Sequence, residues 1–295
     1  MGTNMKTPMG PLYLGSAVLL MIFCLGCASI ALQVSSPLFP QFSESIFEEC
    51  DTQLAKSAIP AQLKLMEGLL KSEPENKALL TTLAMGFSGF SLLYVEDDDP
   101  ERASQLYLRA MDYGMKALGP KWRNLKSLVN VKGKTSVTLG EIKKQDLEAL
   151  LWTTVAWNAW INLNLDKPSA IAQIGAAQAC LKRLLELNPE YFHGLPYILM
   201  GISLSARSPL FGGDVAGAKA FFEKALSLEE RRFLMAQYYY ARYYAVRAQD
   251  KDLFFALIGE IDEGKADPLK DVCLINTMVK EKAARLKGMA EDFFF

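Results

Sequence analysis

From residue 43 onward, apolar positions recur every three or four residues and hardly anywhere alternate. That is the period of a helix with one buried face, not of a half-buried strand. Ala, Leu, Glu, Lys and Met fill the intervals, as good helix formers do. Proline- and glycine-rich stretches punctuate the pattern. Together they predict helices over 43–57, 60–72, 76–94, 100–118, 144–165, 168–187, 191–206, 214–228, 230–248, 250–263 and 270–292. The fold class is therefore all-α, with about ten or eleven helices. One stretch breaks the amphipathic rule. Tyr238, Tyr239, Tyr240, Tyr243 and Tyr244 surround a whole helical turn. An all-round aromatic helix belongs at the centre of a core, and Arg242 within it then needs a partner.

The pattern also repeats itself. Pro74, Gly86, Ala103, Tyr107 and Ala110 recur as Pro189, Gly201, Ala218, Phe222 and Ala225, without a gap. Leu69-Leu70, Glu75, Ser88 and Asp99 have counterparts in Leu184-Leu185, Glu190, Ser203 and Asp214. Gly86 and Gly201 fall inside helices, where glycine costs about 1 kcal/mol relative to alanine. A close approach by a neighbouring helix explains such a glycine. Ala103, Tyr107 and Ala110 share one face, and small–aromatic–small on that face suits the second helix of a packed pair.

Gly followed by Ala-x3-aromatic-x2-Ala and then Pro resembles the tetratricopeptide repeat, a pair of antiparallel helices. The gap between Gly and the first Ala is too long in both copies. Trp152, Val155, Ala156 and Pro189 match a degenerate middle copy. These irregular repeats imply a compact body around an apolar groove or pore. In tetratricopeptide repeats the groove is lined by fixed positions of each first helix. Here those positions are Leu80, Leu83, Phe87 and Phe90; Leu150, Thr153, Trp157 and Trp160; and Leu195, Ile198, Ile202 and Ser205. Ordinary grooves of this kind are polar and bind peptides, whereas this one is apolar. Two readings follow: the stripes pack as core, or they line a hydrophobic ligand cavity.

The N-terminus has a different grammar. Lys6 precedes an apolar run from Leu12 to Leu25, which ends in Cys24-Leu25-Gly26-Cys27. The run is shorter than the roughly 20 residues a spanning helix needs and fits a signal-peptide core. A small residue before a cysteine at its end resembles the lipobox of bacterial lipoproteins. That implies cleavage after Gly26 and lipid on Cys27, although Cys24 stands where a leucine is usual. An uncleaved anchor or an ordinary signal peptide is the other reading. The domains are then a signal peptide (1–26), a lipidated cysteine and tether (27–42) and a helical body (43–295). After residue 43 each helix should carry a charged or amide residue within 18 positions, so none should span a membrane.

Composition narrows the chemistry. Apolar residues make up 51% of the 295 and charged ones 22%, enough for a packed core. The net charge of −1 gives no basic field for nucleic acid. The single histidine, His193, cannot build a multi-histidine metal site, and it reads as a polar helix-start residue and not as a catalytic base; no cofactor is expected. Cysteines left after acylation (Cys50, Cys180 and Cys273) are odd in number and widely spaced, so no disulfide framework is expected. Cys180 reads as a small buried residue. Glu96-Asp97-Asp98-Asp99-Pro100 lacks the alternation of a calcium loop. Asp99 reads as a helix cap with Pro100 next to it, and Asp214 repeats the position. Phe211-Gly212-Gly213-Asp214 is a turn before a helix and not a phosphate loop. Lys121 to Lys144 holds seven basic residues and one acid, a solvated loop or a face for an anionic partner. Glu148 on the 144–165 helix is a carboxylate on which an enzyme could be imagined, with no partner acid or base at a determined distance.

Two longer stretches are more specific. Gly86-Phe87-Ser88-Gly89-Phe90 leads to Val95-Glu96-Asp97-Asp98-Asp99-Pro100-Glu101-Arg102-Ala103 and Leu106-Tyr107-Leu108-Arg109. Phe211-Gly212-Gly213-Asp214 leads to Arg232-Phe233 and Tyr240-Ala241-Arg242-Tyr243-Tyr244. With the lipobox, they resemble the tetratricopeptide-type lipoproteins of tripartite ATP-independent periplasmic (TRAP) transporters, the T components. The resemblance implies an all-helical, lipid-anchored periplasmic subunit without catalysis. It implies docking to the substrate-binding P component, a hydrophobic pore or cavity for a hydrophobic or organic-acid ligand, and a homo-oligomer, with a trimer as the expectation. A general peptide-binding scaffold of the cell envelope is the alternative.

Overall fold

The computed structural model describes residues 38–123, 139–264 and 269–294, with side chains from residue 41. The signal peptide, Cys27, most of the tether and the middle of the basic loop lie outside the described residues. All regular elements among the described residues are helical, as the three-and-four spacing predicts.

Two helices open the body: α1 (Leu38–Phe47) and α2 (Thr52–Leu70). The break falls at 48–51 and not at 58–59, because Asp51 caps α2 by accepting from the backbone N–H of Gln53 and Leu54. Pro60 sits inside α2 on its exposed side. There the Lys56 carbonyl that loses its helical donor can turn to water. Helix α3 (Lys77–Phe90) widens into a π-helical turn, Ser91–Val95. Helix α4 (Pro100–Leu118) starts at the Asp99 cap, whose carboxylate accepts from Arg102 N at 3.0 Å. Helices α5 (Leu147–Leu163), α6 (Pro168–Ile171), α7 (Ile174–Leu187), α8 (Tyr191–Ser205) and α9 (Val215–Ser227) follow. Asp214 caps α9 through Gly217 N at 2.9 Å. Helix α10 (Met235–Tyr239) runs into a second π-helical turn, Tyr240–Ala245, and ends at Ala248. The chain closes with α11 (Lys251–Glu263), α12 (Cys273–Gly288) and α13 (Ala290–Phe293).

Both copies of the repeated pattern fold as packed helix pairs, α3 with α4 and α8 with α9. In the second pair the glycine is explained within the pair. A Cβ on Gly201 would sit 2.7 Å from the Phe222 ring. In the first pair the Gly86 Cβ would instead meet Leu63 of α2 at 2.5 Å. Tyr107, the counterpart of Phe222, is fully buried and donates its hydroxyl to Glu96. Helix α4 lies between α3 and α5 and packs on both.

Three expectations need correction. Cys50 and Cys273 form a disulfide, with Cα atoms 5.2 Å apart and 223 residues between them in sequence. An odd cysteine count conceals the pair, because Cys180 is the buried free thiol. Lys77–Val95 is long and apolar enough to cross a membrane, contrary to the expectation that no segment of the body is. Two thirds of that stretch is buried inside the body, so here it serves as core. The helical body also begins before residue 43, at Leu38.

The fold closes on itself. Helix α12 returns to pack on α1, α2 and the Ser91–Val95 turn. Lys282 pairs with Asp97 and donates to the Leu92 carbonyl at 3.0 Å, and Arg285 reaches Asp98 at 2.8 Å. The aromatic segment is central as expected: Tyr238, Tyr239 and Tyr240 are buried, and Tyr240 stacks on Phe222. Arg242 finds its partners in Asp97, at 3.2 Å, and the Tyr238 hydroxyl, at 2.8 Å.

Candidate functional site

Apolar side chains on the π-helical turn after α3 and on α5 and α8 do not close completely where these elements meet α1, α10 and α12. They leave a mostly apolar cavity of about 160 Å³. Phe47 of α1, Leu92 and Leu93 of the first π-helical turn, Trp152 and Val155 of α5, and Leu195, Leu199 and Ile202 of α8 line it. A smaller apolar cavity of about 60 Å³ lies under α1 and shares Phe47, Gly89 and Leu93 with the first. Phe47 therefore stands between the two. Its ring packs edge-on against Phe192 at 5.4 Å, and Phe192 packs likewise on Trp152 at 5.3 Å.

The main cavity has a polar end. Glu96, Arg242, Tyr239, Tyr243, Asn158 and Asn162 face it. Burial pushes the Glu96 carboxyl above the usual carboxylate range, against the pull of Arg242, the Tyr107 hydroxyl and Lys282. The Tyr107 hydroxyl lies 2.5 Å from Glu96 Oε2. Asp97 goes the other way. Burial raises it, but Lys282 and Arg242 prevail and hold it below the usual range. Burial works against the Arg242 charge too, and Tyr243, Tyr238, Glu96 and Asp97 outweigh it.

The residues expected to line a groove separate into two groups. Leu195 and Ile202 line the main cavity, and Phe90 lines the smaller one. Leu80, Leu83, Phe87, Leu150, Thr153, Trp157, Trp160 and Ile198 are buried in helix packing and line neither. Ser205 is buried and bonded to the Gly201 carbonyl. The reason is a rotation. On α3 and α5 the cavity face lies two residues further on (Gly89 against Phe87, Trp152 against Leu150), about 200° round the helix. Helix α4 occupies the expected face. Its Tyr113 stacks on Phe87, its Arg109 lies over the same ring, and its Gly114 backbone presses against Thr153. The cavity residues that repeat spacing misses are Trp152, Val155, Asn158 and Asn162 on α5, and Glu96 and Arg242. The asparagines four apart in an apolar helix were the available signal, since a buried amide needs a reason.

Other candidates are placed elsewhere. His193 has left-handed backbone at φ 54° and bonds Asp271 at 2.9 Å, fastening the start of α8 to the segment before α12. Glu148, with its carboxyl pushed up by burial, opens into a separate cleft beside Lys77. Burial pushes the Cys180 thiol up to about 12. Among the described residues no group of three acids, histidines or cysteines is placed to hold a metal.

The sequence matches the family described as TRAP transporter T-component over residues 48–294. No curated protein matches the chain significantly.

Proposed function

Since the chain belongs to the TRAP transporter T-component family, we propose that this transporter accessory subunit docks the substrate-binding P component and holds a hydrophobic or organic-acid ligand in the cavity around Trp152. The cavity is the observation that carries the proposal. It is apolar over most of its wall, has a few convergent polar groups at one end, and is lined almost wholly by residues within the span 48–294 that the family match covers. The Cys50–Cys273 disulfide supports a location in the oxidising periplasm, where such bonds persist. Lipid on Cys27 would hold the body at a membrane surface, and self-association as a trimer would set several cavities side by side.

The test is to purify the protein, denature it and identify small molecules released. Val155→Trp fills the cavity without adding charge. The expected result is an apolar molecule that co-purifies with the wild type and is lost from the variant, with helicity unchanged. Docking is read separately, by chemical cross-linking to the P component of the same transporter. Retention of the molecule by Val155→Trp removes the cavity from the reading, and absence of any cross-link removes the docking.

A further inference from the structure

Behind the wall of the main cavity sits a charge without a counter-charge. Arg207, just after α8, is 2% exposed. Its Nη1 donates to Ser203 Oγ at 2.7 Å and its Nη2 to Asn158 Oδ1 at 2.9 Å. Both partners are neutral. Among the described residues no carboxylate reaches it, and its Nε is buried with no acceptor. Burial alone pulls the guanidinium down to about 10. A buried guanidinium left unpaired is costly, and structural ones come with an acid.

The surroundings hold this charge in place. A Cβ on Gly213 would lie 2.0 Å from the Arg207 carbonyl oxygen, so only glycine lets the loop close over it. Gly213 N donates to Ser208 O and Asp214 N to Leu204 O, each at 3.0 Å. Asn158 links the charge to the cavity it lines. Its Nδ2 donates to the Thr154 carbonyl at 2.9 Å, which keeps Oδ1 turned to Arg207. One turn on, Asn162 also lines the cavity, and its Oδ1 is buried without a donor. The remaining charges at this end are committed: Asp97 to Arg242 and Lys282, and Glu96 to Tyr107. Arg207 is the cation here with no carboxylate beside it among the described residues, and in a low-dielectric wall its field reaches into the cavity.

We propose that the cavity takes an amphiphile with a single negative charge, a carboxylate on an apolar chain, and that Arg207 is the positioning charge for that carboxylate, acting through Asn158. This rests on the ligand-holding reading above and adds the class of ligand.

The experiment uses the full chain in lipid nanodiscs. Tryptophan emission, to which the cavity's Trp152 contributes, is titrated with decanoate and with 1-decanol, which share the tail. Lipid partitioning is common to every variant and cancels in the comparison. Asn158→Asp is nearly isosteric and gives Arg207 an internal carboxylate. It is expected to weaken decanoate by about tenfold or more while leaving 1-decanol unchanged, and to raise the melting temperature. Arg207→Met, which deletes the charge, is expected to lose the same preference without lowering the melting temperature. An equal loss for both probes, or no change in either variant, overturns the assignment of the head and leaves the cavity reading standing. A wild type that saturates with neither probe overturns both.

Discussion

Gly201, Gly86 and Gly89 test the packing one Cβ at a time. Each sits in a helix where alanine would gain about 1 kcal/mol in propensity. At Gly89 a Cβ meets nothing within 4 Å, so Gly89→Ala is expected to keep that gain. At Gly86 the obstacle is the flexible end of Leu63, and Gly86→Ala should come out near neutral. At Gly201 it is the Phe222 ring, held by its stack on Tyr240, and Gly201→Ala should cost about 1–3 kcal/mol. Chemical denaturation of the three variants checks the order. Glu96 carries a pH signature. Its carboxyl is raised in the folded state, so the folded protein binds the proton more tightly than the unfolded chain. Stability is then expected to fall as pH rises from the unfolded value of 4.5 through the higher folded one. Glu96→Gln, which still accepts from Tyr107, should flatten that fall and leave stability below the window unchanged. Melting curves across pH decide it.

Helices were the legible element, and their faces were not. The spacing of Leu80, Leu83 and Phe87 marks a buried stripe correctly. It does not say which helix will cover that stripe, because the covering helix, α4, is itself placed by Gly114 and by the length of the loop before it. The long gap between Gly86 and Ala103 is visible in the sequence but has no shape there. The π-helical turn at Ser91–Val95 fills it, adding wide turns and carrying Glu96 towards the cavity. On α8 the expected face and the cavity face agree at Leu195 and Ile202, because α9 packs on the opposite side, through Phe222 against Gly201. The disulfide was invisible for another reason: pairing across 223 residues is a property of the closed fold and not of any local spacing. Reducing it with dithiothreitol is expected to destabilise the body by about 2–5 kcal/mol, read as a lower melting temperature.

At the scale of the molecule, closure depends on α12 meeting the N-terminal helices. Asp97 joins Lys282 and Arg242, so one carboxylate ties α12 and α10 to the end of α3. Its carboxyl is depressed, so its contribution is fully present above the unfolded value of 3.8 and is lost as pH falls through the lower folded value. Asp97→Asn is therefore expected to destabilise the protein at neutral pH and to lose that penalty in acid. Leaving Lys282 buried without its partner makes the neutral-pH cost about 3–5 kcal/mol. Hydrogen exchange should show α12 and α1 opening together in the variant.

The disulfide also decides how the molecule responds to tension. A pull applied at the two chain ends can straighten only the residues outside the Cys50–Cys273 loop, since the load passes from Cys50 to Cys273 through sulfur. The 223 residue steps between them are mechanically short-circuited, a hidden length of about 75 nm at full extension. Force on the N-terminal end can peel α1 and force on the C-terminal end can peel α12, but both stall at the disulfide, so α2 to α11 are never loaded in series. In an optical trap the oxidised protein should yield a short rip, and the reduced protein should release the missing length.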